Sequence, residues 1–252
     1  KPSLVTKWTP RVNAGWDWTP RLMQIGIWDA ITIEAVAGAE ISELRCMTVA
    51  DSASSTGSAA VWGAIESGSG SKLILTLSKD GSVIQMAEVD PDTFNKSGAV
   101  FANIPVELWW PNLHGSQPLY ELKAELIDMN GTTADSITRR IGFKDIKWEK
   151  CEDCCDGADP WICVVNGKPI FMQGANWTPI LPNFADLTYA DYYKRIALYK
   201  ELGFNILRVW GGAYLEKSWF YDICDELGLM VWQEFPLSSS GGESIPPCDE
   251  KC

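Results

Sequence analysis

The chain has 252 residues, of which 46% are hydrophobic and 21% are charged, as in ordinary globular proteins. Its net charge of -12 argues against nucleic acid and against an anionic membrane surface as partners, because like charges repel. No apolar run reaches the length of a membrane-spanning helix, and the opening KPSLVTKW has neither a starting methionine nor the apolar core of a signal peptide. The start is therefore interpreted as a cut or processed end, and the compartment is left unassigned.

Tryptophan is the unusual feature of the composition, with thirteen in the chain. Indole rings suit stacking against the C–H faces of sugars, while a tryptophan-rich core is the alternative for each residue taken singly. The single histidine, His114, lies in the turn PNLHGSQP and is expected to be structural. A structural role for the only histidine disfavours both a Ser-His-Asp mechanism and a histidine metal site.

Four of the eight cysteines crowd into the segment CEDCCDGADPWIC, at positions 151, 154, 155 and 163. This spacing lacks the two separated C-x2-C knuckles of a zinc ribbon. A zinc site, a local disulfide and reduced thiols all remain open, as do bridges formed by Cys248 and Cys252. No metal site and no cofactor is predicted.

Residues 30–145 alternate apolar and polar side chains in AITIEAVAG, SKLILTLSKDGSVIQMAEV and LYELKAELIDMNGTTADSITRRIGF. This period of two predicts half-buried strands, and SASSTGSAA between them is expected to be a loop. Asp80-Gly81 and Asn130-Gly131 are typical of tight hairpins. The region is predicted to be an immunoglobulin-like β-sandwich.

The sequence pattern is different in residues 146–252, where predicted helices alternate with predicted strands. A hairpin through Asn166-Gly167 is predicted to lead into a buried strand, and Thr188 is predicted to be the N-cap of the helix YADYYKRIALYKEL. The strand NILRV, the helix EKSWFYDICDEL and the strand LMVW follow, and the helix ends at Gly203 and Gly228 repeat after 25 residues. This repeat predicts a β/α architecture with a parallel sheet, either a barrel or a doubly wound sheet. No G-x-G-x-x-G follows a strand, which weakens a dinucleotide-binding interpretation.

The carboxyl ends of these strands carry an unusual group of side chains. Asn176 and Trp177 end the first strand, Trp210 the second, and Gln233 with Glu234 the third. In a barrel, chemistry occurs at this end of the strands. We therefore predict an aromatic and polar binding mouth, with Gly211 and Gly212 letting the loop turn away from it.

Several motifs in order make the chain resemble glycoside hydrolase family 2, in its β-mannosidase-like branch. GWDWTPRLMQIGIWDAITIEA is similar to the end of the family's jelly-roll domain, and LWWPNLHGSQPLYELKAEL with RRIGF to its immunoglobulin-like domain. VNGKPIFMQGANWTP, NILRVWGGAYLE and FYDICDELGLMVWQEF resemble the opening of its catalytic barrel. The resemblance implies a jelly-roll end at 1–29, a sandwich at 30–145, and an incomplete (β/α)8 TIM barrel at 146–252.

The resemblance also implies a retaining exo-glycosidase that hydrolyses terminal β-D-mannosides. Such chemistry uses one carboxyl group as acid/base and another as nucleophile, about 5 Å apart. The family carries them on the fourth and seventh barrel strands, so both are expected beyond Cys252. The chain is then a fragment, inactive alone, with poor stability expected for residues 165–252. Its implied partners are a β-linked oligosaccharide or glycoside and the remainder of its own polypeptide.

The family's binding residues are carried over where the motifs match. Asp17 resembles a carboxylate that reaches hydroxyls of the terminal sugar, and the alternative is a capped turn. Trp210 resembles the aromatic platform beside that sugar. Arg208 resembles an arginine that supports the nucleophile, and the alternative is simple pairing with Glu234.

Glu234 is assigned either to a sugar hydroxyl or to a supporting position, while Asn176 and Trp177 are assigned to substrate binding by strand-end position alone. The chain departs from many relatives by carrying Ile180 and Leu181 where an acidic residue follows GANW-P. Three alternative functions therefore stay open: an exo-β-glucosaminidase, an endo-β-mannosidase, and a non-catalytic carbohydrate-binding or scaffold protein.

Overall fold

The structure is a computed structural model that describes residues 11–22, 27, 30–33, 39–66 and 70–236. It divides into two compact units. The first comprises residues 1–32, 111–113 and 172–252, and the second comprises residues 33–110 and 114–171. The second unit thus extends past the expected boundary at residue 145, so that residues 146–171 group with the preceding strands.

Two antiparallel sheets form most of the second unit. The three-stranded sheet has the order β1-β2-β5, with β1 (Glu40–Asp51), β2 (Thr56–Glu66) and β5 (Ala99–Pro105). The four-stranded sheet has the order β4-β3-β6-β7, with β3 (Lys72–Lys79), β4 (Ser82–Val89), β6 (Tyr120–Ile127) and β7 (Thr133–Ile141).

One hydrophobic core is shared by both sheets. Val61 and Phe101 enter it from the three-stranded sheet, and Leu75 and Leu122 from the four-stranded sheet. Along β3 the buried residues alternate with less buried ones, because successive side chains of a strand point to opposite faces. The alternation of the sequence therefore correctly predicts a two-layer β-sandwich.

The connections between these strands were only partly predicted. Asp80 and Gly81 both have positive φ, 50° and 78°, and join β3 to β4 in a tight turn, as predicted. The Asn130-Gly131 connection is longer, because Asp128 accepts hydrogen bonds from the backbone N–H groups of Asn130 and Thr132. The helix α1 (Pro91–Ser97) was not predicted, and SASSTGSAA is wrong as a loop, since most of it lies in β2.

A third antiparallel sheet completes the second unit, in the order β10-β9-β8, with β8 (Ile146–Glu149), β9 (Ile162–Val165) and β10 (Lys168–Ile170). Asn166 and Gly167 form the predicted tight turn, with φ of 50° and 77°. The buried Asn166 side chain donates to the carbonyl of Trp109 and accepts from the N–H of Asp145, both at 2.9 Å. The turn residue therefore also anchors neighbouring backbone.

The cysteine-rich segment connects β8 to β9. Cys151, Cys154 and Cys155 are exposed, Cys163 is buried in β9, and the six described cysteines are free thiols. Burial raises the pKa of the Cys163 thiol above its ordinary value of 9.0. In the described ranges no three His, Cys, Asp or Glu side chains are grouped to hold a metal ion. Cys248 and Cys252 lie outside the described residues.

The first unit contains a three-stranded parallel sheet in the order β11-β12-β13, with β11 (Gly174–Trp177), β12 (Ile206–Val209) and β13 (Met230–Gln233). The helices α2 (Tyr189–Glu201) and α3 (Ser218–Leu227) connect these strands. Gly203 and Gly228, with φ of 81° and 83°, follow the two helices, which confirms the repeated strand–helix unit. None of the helices in the described part of the chain has the length and hydropathy needed to cross a membrane.

Thr188 begins α2 with a reciprocal capping box. The Thr188 side chain accepts from the N–H of Asp191 at 3.4 Å, and the Asp191 carboxylate accepts from the Thr188 N–H at 2.9 Å. We expect Thr188→Ala to lower the free energy of unfolding by about 1 kcal/mol, because it removes the hydroxyl that accepts from the Asp191 N–H and donates to the Asp191 carboxylate at 2.6 Å. Urea unfolding followed by circular dichroism measures this, with the exposed α2 residue Arg195→Ala as the control; equal values for both variants would contradict it.

Candidate functional site

The parallel sheet has two chemically different faces. Trp177, Leu207 and Val209 point toward α2 and α3 and are buried in their shared core. Asn176 and Arg208 are paired across the register on the opposite face, because adjacent residues of a strand alternate sides. Polar side chains therefore gather on the face away from the helices, at the carboxyl end of the strands.

Arg208 and Glu234 form the centre of this polar group. The guanidinium donates to Glu234 Oε1 from Nε at 2.8 Å and also from Nη2, and it donates from Nη1 to Asn176 Oδ1 at 2.9 Å. Among the described residues, three of its five N–H donors are thus used, which leaves one donor on each Nη atom. The structure thus contains the Arg208–Glu234 pair that the sequence analysis gave as the alternative for Arg208.

The Glu234 carboxylate has a second anchor in the backbone. Its Oε2 accepts from the N–H of Gly211 at 2.9 Å, while the Glu234 N–H donates to the carbonyl of Val209 at 3.2 Å. Both carboxylate oxygens are therefore occupied, and the side chain joins the end of β13 to the loop after β12. This engagement suits a supporting role for Glu234.

Three tryptophans cluster beside this network. The ring of Trp210 lies 5.2 Å from that of Trp16 and 5.3 Å from that of Trp18, between centroids. Trp16 and Trp18 are 41% and 50% exposed, so the cluster offers aromatic surface to solvent. Asp17 stands exposed between them, in a turn closed by mutual backbone hydrogen bonds of Trp16 and Thr19 at 3.2 Å. We call Trp16, Trp18 and Trp210 the tryptophan cluster.

Gly211 and Gly212 have a different role from the one predicted. Neither has positive φ, so neither is needed to turn the chain. A Cβ atom on Gly212 would overlap the six-membered ring of Trp210, and one on Gly211 would meet the carbonyl oxygen of Phe235. The glycines instead allow the Trp210 indole and the end of β13 to approach the backbone closely.

Gly212→Ala should therefore displace the Trp210 ring. We expect the ¹⁹F resonance of fluorotryptophan at position 210, assigned through Trp210→Phe, to shift or broaden, because the new methyl group occupies the space of the ring. Gly157→Ala is the matched control, since no atom lies within 4 Å of its added Cβ. An unchanged resonance in Gly212→Ala would refute this explanation of the glycine.

Trp177 does not join the other predicted site residues. It is 2% exposed, and its indole N–H donates to Glu216 Oε1 at 2.8 Å on the helix-facing side of the sheet. The buried indole is not presented to a ligand, so its assignment to substrate binding by strand-end position is corrected. The signal was available, because Asn176 and Trp177 are consecutive in a strand and must face opposite sides.

Sequence reasoning also missed Glu216. It lies before α3, is only 9% exposed, and accepts a further hydrogen bond from the Tyr192 hydroxyl at 2.6 Å. Burial raises the pKa of the Glu216 carboxyl, and the hydrogen bonds from Tyr192 and Trp177 oppose that shift. Burial, and then the bond to Glu216, raise the pKa of Tyr192. Glu216 therefore ties β11, α2 and the start of α3 together.

Comparison with known proteins agrees with these features. Residues 41–144 match the sequence model of glycosyl hydrolases family 2. The β-mannosidase B of Aspergillus terreus is 34% identical over 228 residues, covering 88% of this chain and 26% of that protein. The β-mannosidase of Bos taurus is 28% identical over 232 residues, with the same two shares.

Solved structures give a consistent result. The β-D-mannosidase of Dictyoglomus thermophilum superposes with a TM-score of 0.79 at 28% identity, over 92% of this chain and 28% of that one. The chain spans about a quarter of the length of the curated relatives it matches. It therefore belongs to glycosyl hydrolase family 2, and within that family it is similar to the β-mannosidases.

Proposed function

We propose that the chain is a segment of a retaining exo-glycosidase that hydrolyses terminal β-D-mannosides. The tryptophan cluster at the carboxyl end of the parallel sheet is the observation that carries the proposal. The acid/base and nucleophile carboxylates would come from the longer polypeptide beyond Cys252, so this chain alone would not catalyse. Its substrate would be a β-linked oligosaccharide or glycoside.

One face of the parallel sheet is not covered by any described helix, and this supports an unfinished (β/α)8 barrel. Parallel sheets are stable with both faces covered, whereas here α2 and α3 pack on one face. The opposite face leaves Trp232 48% exposed and the Arg208 side chain 34% exposed. Further strands of the same polypeptide would close this face into a barrel interior and place its mouth at the tryptophan cluster.

The terminal sugar would stack on Trp210, with Asp17 and Asn176 binding its hydroxyl groups. Exposed indole faces suit the C–H face of a pyranose, and a carboxylate accepts hydrogen bonds from hydroxyl groups. Asp17 and the Asn176 side chain are both exposed, which supports their access to a ligand.

Arg208 would support the nucleophile. The two N–H donors that bind no described residue suit a second carboxylate, and the positive charge would stabilise that carboxylate as an anion. Glu234 and Asn176 hold the guanidinium in place, so they would act as positioning residues.

The test is hydrolysis of an aryl β-D-mannoside by the longer polypeptide that contains this segment. We expect cleavage with retention, and a loss of about 100-fold in kcat/KM for Trp210→Ala, because a displaced sugar no longer meets the catalytic groups. Trp148→Ala, at an exposed tryptophan of β8, is the control.

Other outcomes would replace the proposal by one of its alternatives. Cleavage of aryl β-D-glucosaminides without mannosides would indicate the glucosaminidase, and cleavage within mannan chains the endo-acting enzyme. Mannoside binding without any cleavage would indicate a non-catalytic carbohydrate-binding protein.

A further inference from the structure

A small cavity shares Trp18 with the tryptophan cluster. It has a volume of about 110 Å³, and its walls include Val12, Asn13, Trp18, Pro179, Ile180 and Tyr214. We call it the Trp18 pocket. Because Trp18 also packs on Trp210 at 5.3 Å, a group that enters the pocket would be adjacent to a sugar on the Trp210 platform.

The lining of the pocket is mostly apolar. Val12, Pro179 and Ile180 contribute aliphatic surface, and Trp18 contributes an aromatic wall. An apolar cavity of 150 Å³ holds benzene, so 110 Å³ corresponds to roughly four carbon atoms. A pyranose ring with its hydroxyl groups exceeds this volume, and its polar groups would find few partners here.

Asn13 supplies one directional group in this apolar setting. It is 7% exposed, and its Oδ1 accepts from the Tyr214 hydroxyl at 2.6 Å. Within the described residues, its amide nitrogen donates no hydrogen bond. A buried amide donor without an acceptor is unfavourable, so an oxygen atom of a ligand would be stabilised at this position.

We propose that the Trp18 pocket binds the aglycone of the glycoside, as a subsite for a small apolar group of about four carbons next to an oxygen acceptor. The proposal rests on the proposed function, because it places the terminal sugar on Trp210. The aglycone enters beside Trp18 and Ile180, and Asn13 donates to its oxygen. The pocket thus selects glycosides by the size and polarity of the group beyond the glycosidic bond.

The test compares methyl and n-butyl 1-thio-β-D-mannosides, which resist hydrolysis, as ligands of the longer polypeptide. Isothermal titration calorimetry should give a Kd at least about tenfold lower for the butyl ligand, since each buried methylene group adds to affinity. In Ile180→Ser the preference should fall to about threefold. Leu181→Ser, next in sequence and outside the pocket lining, should retain it.

The comparison in the unsubstituted protein needs no variant to fold. Equal Kd values for methyl and butyl ligands would overturn the pocket assignment, as would an equal loss of preference in Leu181→Ser. The corresponding 1-thio-β-D-glucosides distinguish failure of the pocket assignment from failure of the proposed mannoside-hydrolysing function. A butyl preference on glucosides alone would retain the pocket and reject the mannoside assignment, whereas mannoside cleavage without any butyl preference would retain the function and reject the pocket.

Discussion

Glu216→Ala is expected to lower the free energy of unfolding by about 3–5 kcal/mol. The Trp177 indole N–H and the Tyr192 hydroxyl both donate to this carboxylate and are buried, so the variant leaves two donors without an acceptor. Each such donor costs about 1–3 kcal/mol, and hydrogen bonds to a charged acceptor lie at the upper end. Chemical unfolding of the protein measures the change.

The exposed Glu201, in the last turn of α2, provides the control. Glu201→Ala removes a carboxylate from the surface and should change stability by less than about 0.5 kcal/mol. A similar loss in both variants would mean that the hydrogen bonds of Glu216 do not stabilise the unit.

The same carboxylate gives a pH dependence of stability. Burial raises the pKa of Glu216 in the folded protein above its ordinary value of 4.5. The folded state therefore binds the proton more tightly than the unfolded state. The stability that this tighter binding contributes is fully present below pH 4.5. It is lost as the pH rises through the folded-state pKa. We expect the stability of the protein relative to Glu216→Gln to fall over that range in unfolding experiments; a rise would contradict the shift.

The sequence predicts those parts of the fold that depend on local patterns. The strands β3, β4, β6 and β7 follow from the alternating runs, whereas residues 30–33 of AITIEAVAG are not in a strand and its residues 34–38 lie outside the described residues. The turns at Asp80-Gly81 and Asn166-Gly167 follow from residues that accept positive φ. Short elements are harder, because α1 spans only seven residues and its N-cap, Asp90, precedes a proline that also suits a turn. SASSTGSAA has the composition of a loop, yet pairing of β2 with β1 and β5 overrides that preference.

The sequence predicts where the residues of the candidate site lie better than it predicts which residues they hydrogen-bond. Strand ends indicate where Asn176, Trp210 and Glu234 lie, since parallel strands bring their carboxyl ends to one edge. The sequence does not indicate that Glu234 accepts from the Gly211 N–H, because this contact joins residues 23 positions apart. Glu216 could not be predicted for the same reason. Its hydrogen-bond partners lie in β11 and α2, and no local sequence pattern indicates that these elements pack around it.

Arg208→Met is expected to destabilise the protein by about 2–4 kcal/mol. Glu234 would keep only its bond to the Gly211 N–H, and its half-buried charge would lose the paired guanidinium. Glu234→Gln should cost less, because the amide oxygen still accepts from Arg208. Chemical unfolding of both single variants and the double variant should give a coupling energy of about 1.5–3 kcal/mol.

The ion pair Lys72–Glu88 on the sandwich is the matched reference, with N–O distance 2.7 Å and both side chains 58% exposed. Its coupling energy should stay below about 1 kcal/mol, since water screens the charges and the long side chains lose entropy when they pair. The difference between the two cycles isolates what partial burial and the backbone anchor at Gly211 add to Arg208–Glu234. Equal coupling energies would mean that Glu234 is held no more firmly than a surface residue, and that Arg208 is not held in place by the network that its proposed support of a nucleophile requires.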